Sequence, residues 1–149
     1  MSLLQKIEDD YKTALKTSDS LKVSVLRMLK ASSKNRQIDK GKELSDEDII
    51  DVISSLCKQR KESIEMFSNG GREDLAKKES QELAILQSYL PRQLSPEEID
   101  KIILESIKET SAQGLKDLGR VMRIVMSRVK GLADGKIVNQ RVKDLLTGT

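Results

Sequence analysis

Apolar residues recur at the spacing of an α-helix along almost the whole of this chain. Near its start, Ile7, Tyr11 and Ala14 follow Leu3 and Leu4 at intervals of three or four residues. Such intervals place side chains on one face of a helix, whereas the exposed and buried residues of a strand alternate every second position. The pattern predicts amphipathic helices that bury one face each, and therefore an all-α, multihelical protein.

The residue types agree with that prediction. Aromatic residues make up only 2% of the chain, so a core must be built from Leu, Ile, Val, Met and Ala packed between amphipathic elements. The 8 glycines and 2 prolines are few for a chain of 149 residues, which argues against a turn-rich sandwich or barrel.

Capping residues and chain breakers divide the chain into seven predicted helices. Side chains that can accept from free N–H groups of a first turn precede five of these helices, at Ser2, Ser20, Ser45, Ser95 and Asp134. The predicted helices cover about residues 3–15, 21–38, 46–67, 72–89, 96–110, 118–130 and 135–146.

A domain boundary is expected near Pro91, where a proline closes the fourth helix. We expect residues 1–91 to form an N-terminal subdomain of four helices and residues 92–149 a basic C-terminal subdomain of three. Arg92 to Leu94 would be the linker. The second part is small for an independently stable domain.

Several functional classes are disfavoured by what the sequence lacks. It has no histidine, the commonest general base near neutral pH and a common metal ligand. Its single cysteine, Cys57, cannot form an internal disulfide, and no apolar stretch approaches the roughly 20 residues that span a bilayer. We therefore expect a cytoplasmic protein with no catalytic site of its own, no metal site, no cofactor and no membrane contact.

Positive charge is concentrated at the C-terminal end. From Gly114 to Thr149 there are eight Lys or Arg residues against three acids. One cationic stripe is predicted on each of the last two helices. The sixth helix carries Arg120, Arg123 and Lys130 on one side, and the seventh carries Lys136, Gln140 and Lys143. Such stripes fit the phosphates of a folded RNA, and they fit equally well the solvated faces of amphipathic helices.

Three other features have simpler readings than a catalytic site. Cys57 lies on an apolar helix face and is expected in the core. Gly70 and Gly71 precede acidic residues that would repel phosphate, so they are read as a turn between helices. Glu79 and Glu82 are expected to form surface ion pairs with lysines 77 and 78 beside them.

Four separated motifs resemble those of the YqeY family in their order and spacing, and the resemblance covers essentially the whole chain. The motifs are Gly70-Gly71-Arg72-Glu73-Asp74-Leu75-Ala76 with Glu79, Tyr89-Leu90-Pro91-Arg92-Gln93-Leu94-Ser95, Gly119-Arg120-Val121-Met122, and Gly131-Leu132-Ala133-Asp134-Gly135-Lys136.

YqeY proteins are similar to the tail of GatB, a subunit of the tRNA-dependent amidotransferase that converts mischarged Glu-tRNA or Asp-tRNA to Gln-tRNA or Asn-tRNA. The resemblance implies two all-helical subdomains, the second like the GatB tail that helps hold tRNA. It implies tRNA contacts at six cations, namely Lys116, Arg120, Arg123, Lys130, Lys136 and Arg141.

The carbon–nitrogen ligase activity associated with the family, with glutamine as amido-nitrogen donor, belongs to the assembled amidotransferase. The kinase-like cradle and Ser-Ser-Lys amidase site of that enzyme have no counterpart in this sequence. The resemblance therefore implies an accessory protein that binds tRNA or another structured RNA. Two alternatives remain open: an interaction or assembly module for a protein partner, and a non-catalytic component of an amidotransferase complex.

Overall fold

A computed structural model describes residues 2–148 of the protein. Within that range there are seven α-helices, a short 3-10 turn and no strand, which confirms the all-α class. No helix in it is both long and apolar enough to cross a membrane. The helices are α1 (Leu3–Lys16), α2 (Ser20–Lys40), α3 (Asp46–Asn69), α4 (Glu73–Gln87), α5 (Pro96–Thr110), α6 (Leu118–Val129) and α7 (Gly135–Leu146).

Four of the five predicted N-caps are confirmed, because the side chains of Ser2, Ser45, Ser95 and Asp134 each accept from a backbone N–H of the first turn. The prediction for Ser20 is wrong. The cap of α2 is Asp19, whose carboxylate accepts from the backbone N–H of Lys22 and leaves Ser20 as the first helical residue.

The turn between α3 and α4 differs from its predicted form. We expected α3 to end at Phe67, but Gly70 keeps a φ of −85° and the helix continues to Asn69. Only Gly71 takes the left-handed conformation there, with a φ of 76°. The fourth helix ends at Gln87, two residues earlier than predicted.

The chain forms two compact units, with the division between Leu90 and Pro91. In the first unit α4 packs mainly against α3, and α1 packs mainly against α2. The core of this unit is aliphatic, with one buried tyrosine, Tyr89, whose hydroxyl donates to Asp10 across 2.6 Å. Its fully buried side chains include Ile7, Leu26, Leu29, Ile49, Ile53 and Leu86.

The second unit is a three-helix arrangement in which α5, α6 and α7 all contact one another. Its core is made of isoleucines and valines: Ile99, Ile103, Val121, Val125, Val129, Val138 and Val142. Residues of the expected linker are bound within this unit. The backbone N–H of Leu94 donates to the carbonyl of Leu132 across 2.8 Å, and Arg92 pairs with Glu98 at 2.7 Å.

The start of α5 is fixed by a reciprocal capping box. Ser95 accepts from the backbone N–H of Glu98, and the Glu98 carboxylate accepts from the backbone N–H of Ser95. Hydrogen bonds from Arg92, and then from the Ser95 backbone, lower the pKa of Glu98 from 4.5 to about 2. This carboxylate therefore stabilises the fold above pH 4.5, and its contribution is lost as the pH falls toward 2.

Ser95→Ala is expected to lower the free energy of unfolding by about 1 kcal/mol, because the first turn of α5 loses its side-chain acceptor. Ser127→Ala is the matched control, since Ser127 is exposed and its hydroxyl donates only to the Ile124 carbonyl three residues before it. Urea denaturation followed by circular dichroism measures both. Equal stability of the two variants would contradict the importance of this cap.

Candidate nucleic-acid interface

Helix α6 has a buried apolar face and an exposed cationic face on the opposite side. Val121, Val125 and Val129 recur every four residues and are fully buried. Arg120 and Arg123 project from the other side of the helix, and both are exposed. Helix periodicity alone therefore places these two guanidinium groups away from the core.

The same division holds for α7. Val138 and Val142 are buried, whereas Lys136, Gln140 and Lys143 lie on the outer face and are exposed. The two predicted stripes thus lie on solvent-facing sides of neighbouring helices in one compact unit.

A glycine allows α6 and α7 to approach closely. A Cβ atom built at Gly135, the first residue of α7, would lie 3.2 Å from the Cε atom of Met126 on α6. Asp134 caps the same turn by accepting from the backbone N–H of Lys136. The start of α7, with Lys136, therefore lies close to α6.

Two arginines of α6 already have partners within the unit. Arg120 donates to the carbonyl of Thr110 across 3.0 Å and lies 3.3 Å from the carboxylate of Asp117. Arg128 donates to the hydroxyl of Ser106 across 3.0 Å and pairs with Glu109. The charge of Arg128 thus serves to join α6 to α5.

Arg141 is held most firmly of the six predicted RNA contacts. Its guanidinium forms a two-pronged ion pair with Asp100 of α5, in which both N···O distances are 2.9 Å. Hydrogen bonds to Asp100 raise the pKa of Arg141 above its ordinary value. The carboxylate of Asp144 lies 3.7 Å away. This geometry gives Arg141 a clear role in joining α7 to α5.

The remaining predicted contacts face solvent. Lys116, Arg123, Lys130 and Lys136 are all exposed. Within residues 2–148, no ion pair is found for Lys116, Arg123 or Lys136. The same holds for Lys143, which lies on α7 with Lys136. RNA contact by any of these residues stays a prediction, and Lys116, Arg123, Lys136 and Lys143 are the ones whose charge no ion pair offsets within residues 2–148.

Residues 4–146 match the model of the family described as YqeY-like protein. The chain belongs to the YqeY family. This match confirms the family that the sequence motifs predicted, and it includes all seven helices except for the first residue of α1.

Three relatives share the name "Altered inheritance of mitochondria protein 41, mitochondrial". The Pyrenophora tritici-repentis protein is 29% identical over 97% of this chain and 81% of its own length. The Vanderwaltozyma polyspora protein is 37% identical over 69% of this chain and 59% of its own, and the Kluyveromyces lactis protein is 36% identical over 69% and 57%. The match to the last two relatives thus spans less than two thirds of their length.

The predicted cytoplasmic location is wrong by this comparison, because these relatives of the YqeY-family chain are named as mitochondrial proteins. The prediction rested on the single cysteine and on the lack of a long apolar stretch. A single cysteine excludes an internal disulfide, but that does not distinguish the cytoplasm from the mitochondrion.

The first unit of this YqeY-family chain contains an ion cluster that the sequence reading missed. Arg60 of α3 lies 3.2 Å from the carboxylate of Glu79 and 3.0 Å from that of Glu82, both on α4. The three side chains are only 12–23% exposed. The expectation that Glu79 and Glu82 pair at the surface with lysines 77 and 78 is therefore wrong, because the two carboxylates face α3.

Two buried polar atoms of this Arg60–Glu79–Glu82 cluster lack a hydrogen bond among the described residues. The Nε atom of Arg60 and the Oε2 atom of Glu79 are buried, and within residues 2–148 neither has an aligned hydrogen-bond partner. Burial raises the pKa of Glu79, while the charge of Arg60 opposes that rise. The available signal was that Arg60 and Glu79 occupy helix positions in register with core residues.

Cys57 is buried, as predicted. Burial raises the pKa of its thiol from 9.0 to about 11, so the nucleophilic thiolate is scarce at neutral pH. Within residues 2–148 no group of three or more Cys, Asp or Glu side chains is arranged to hold a metal ion.

Proposed function

We propose that this YqeY-family protein is an RNA-binding accessory protein without catalysis of its own, and that its second unit binds the phosphates of a folded RNA such as tRNA. The observation that carries the proposal is a set of exposed cations for which no carboxylate partner is found within residues 2–148. They are Lys116 in the turn before α6, Arg123 on α6, and Lys136 and Lys143 on α7, and Lys130 lies just after the last residue of α6.

The geometry favours recognition of backbone and shape over recognition of bases. Residues 91–149 contain no Phe, Tyr or Trp, so this unit offers no aromatic ring on which an unpaired base can stack. Rigid helices that present lysine and arginine to solvent suit the regular phosphate spacing of a folded RNA.

In this proposal two of the six predicted contacts position helices and the other four contact phosphates directly. Arg141 positions α7 through Asp100, and Arg120 fixes the start of α6 through Thr110 and Asp117. Direct phosphate contact falls to Lys116, Arg123, Lys130 and Lys136. Because the relatives are named as mitochondrial proteins, mitochondrial tRNA is the first RNA to test.

The test is a titration of the full chain with mitochondrial tRNA and with duplex DNA of similar length at several salt concentrations. About five phosphate contacts should make log K fall with log salt at a slope of about −4. The variant Arg123→Glu/Lys136→Glu should bind tRNA at least about tenfold more weakly and lower the magnitude of that slope by about two.

Lys101→Glu/Lys108→Glu is the matched control, because both lysines are exposed on α5 and the change in charge is the same. The control should keep most of the tRNA affinity and slope. If both variants lose the same tRNA affinity, the effect comes from net charge alone and the assigned site is wrong. If the protein binds duplex DNA as tightly as tRNA, recognition of a folded RNA is wrong.

A further inference from the structure

A cleft in the first unit has a charge pattern that the proposed RNA interface does not use. It lies between α1 and α2, has a volume of about 500 Å³, and falls in the size range of ligand sites. Its lining combines cations from α2 with apolar side chains from α1, α2 and the segment after α2. The cations are Arg27, Lys30 and Lys34, and the apolar residues are Leu4, Ala31 and Leu44, with Glu8 and Tyr11 beside them.

Tyr11 holds two of these cations without neutralising them. Its hydroxyl accepts from both the Nε and an Nη atom of Arg27, each across 3.4 Å. The Nζ atom of Lys30 lies 4.4 Å from the centre of the Tyr11 ring. A phenol and an aromatic face orient the two cations, and neither of these groups carries a negative charge.

Carboxylates do not offset this charge. Within residues 2–148, no ion pair is found for Arg27, Lys30 or Lys34, and Glu8 is the only acid that lines the cleft. By contrast Lys40, on the same helix, pairs with Asp48. The cleft is therefore a region where an incoming carboxylate can form charge-assisted hydrogen bonds without displacing another carboxylate.

The cleft continues along α2 as a groove. An adjoining depression of about 340 Å³ shares Lys34 and Gln37 with it and is bounded by Ile38 and Lys42. Ile38 is 68% exposed, which is high for a large aliphatic residue. From Arg27 to Ile38 the helix rises about 16 Å, a length that an extended peptide of about five residues covers.

We propose that this groove binds an acidic segment of a partner protein, with carboxylates on Arg27, Lys30 and Lys34 and an aliphatic side chain against Leu4, Ala31 and Leu44. The apolar lining disfavours a run of nucleic-acid phosphates, and the length of the groove exceeds that of a small anion. The inference is independent of RNA binding, which we assign to the other unit.

The test uses the full ¹⁵N-labelled chain and a decapeptide that repeats Glu-Leu-Glu-Glu-Leu. Binding should shift the amide signals of the residues that line the groove. Arg27→Glu/Lys34→Glu should weaken the peptide affinity at least about tenfold, since two attractive contacts become repulsive. Replacing every Glu of the peptide with Lys, or every Leu with Ser, should abolish or weaken binding.

Lys58→Glu/Lys77→Glu is the matched control, since these exposed lysines of α3 and α4 do not line the groove. It should keep the wild-type peptide affinity, and Arg27→Glu/Lys34→Glu should keep the wild-type tRNA affinity. If the glutamate variant loses helicity, Arg27→Gln/Lys34→Gln provides the same comparison with a smaller expected loss.

Any of four results would overturn the proposal. The first three are signal shifts that map elsewhere, a peptide affinity that the groove variant leaves unchanged, and a ten-nucleotide uridine RNA that occupies the groove while the peptide does not. Concentration-dependent self-association lost in Arg27→Glu/Lys34→Glu, without peptide binding, would assign the groove to a second copy of the chain and would also overturn it.

Discussion

Replacing Ile103 with alanine is expected to lower the free energy of unfolding of the second unit by about 3 kcal/mol. Ile103 is fully buried among the valines of α6 and α7, and removing three carbon atoms leaves a cavity that rigid helices close only in part. Because this unit has fewer than 60 residues, such a loss is a large share of its total stability.

The neighbouring residue provides an internal control. Leu104 is 53% exposed, so Leu104→Ala removes a similar volume from solvent-facing surface and should change stability by less than about 0.5 kcal/mol. Urea titration followed by the amide signals of residues 96–146 reports on this unit. Equal losses in the two variants would contradict the assignment of Ile103 to the core.

Arg60→Met is expected to destabilise the first unit by about 2–3 kcal/mol at neutral pH, because it leaves Glu79 and Glu82 largely buried without their cation. The estimate is below the full cost of breaking a buried pair because the side chains keep 12–23% exposure. Tyrosine fluorescence can follow this unfolding, since both tyrosines of the chain, Tyr11 and Tyr89, lie in the first unit.

The pH dependence of this variant has a defined sign. A raised pKa means that the folded state favours protonated Glu79, so its contribution to stability is present below the ordinary value of 4.5 and is lost as the pH rises through the folded-state pKa. Removal of Arg60 raises the pKa of Glu79 further, because the positive charge of Arg60 opposes the effect of burial. The difference in stability between wild type and Arg60→Met should therefore be largest near pH 7 and shrink below pH 4.5.

Lys58→Met is the control for Arg60→Met, because Lys58 is exposed on the same helix two residues earlier and makes the same change in charge. It should leave stability nearly unchanged at every pH. A pH-independent loss in Arg60→Met would instead indicate that the aliphatic stem of Arg60 contributes through packing alone.

The all-α class and most helix boundaries could be predicted because their causes are local. The three- and four-residue spacing of apolar residues marks the buried faces, and Ser45, Ser95 and Asp134 satisfy the free N–H groups of adjacent first turns. Local signals were ambiguous where two capping residues adjoin, as at Asp19 and Ser20, and where Gly70 permits another half turn of α3.

The same periodicity located the cations of α6 and α7 on their outer faces, but it said nothing about their partners. Arg123 and Arg141 are both arginines of amphipathic helices in a basic segment. Only the packing of α5 beside α7 brings Asp100 within 2.9 Å of Arg141, while no ion pair is found for Arg123 among the described residues.

The sequence by itself determined the all-α class, the apolar faces, the YqeY family and the excess of positive charge in residues 114–149, because each depends on residue types and local spacing. The tertiary structure decided which charges are compensated. Arg60 meets Glu79 and Glu82, Arg141 meets Asp100, and Arg27 and Lys30 gather around Tyr11, because helices distant in sequence lie side by side. Coulomb energy depends on distance and burial, and neither quantity is set by the order of residues along one helix.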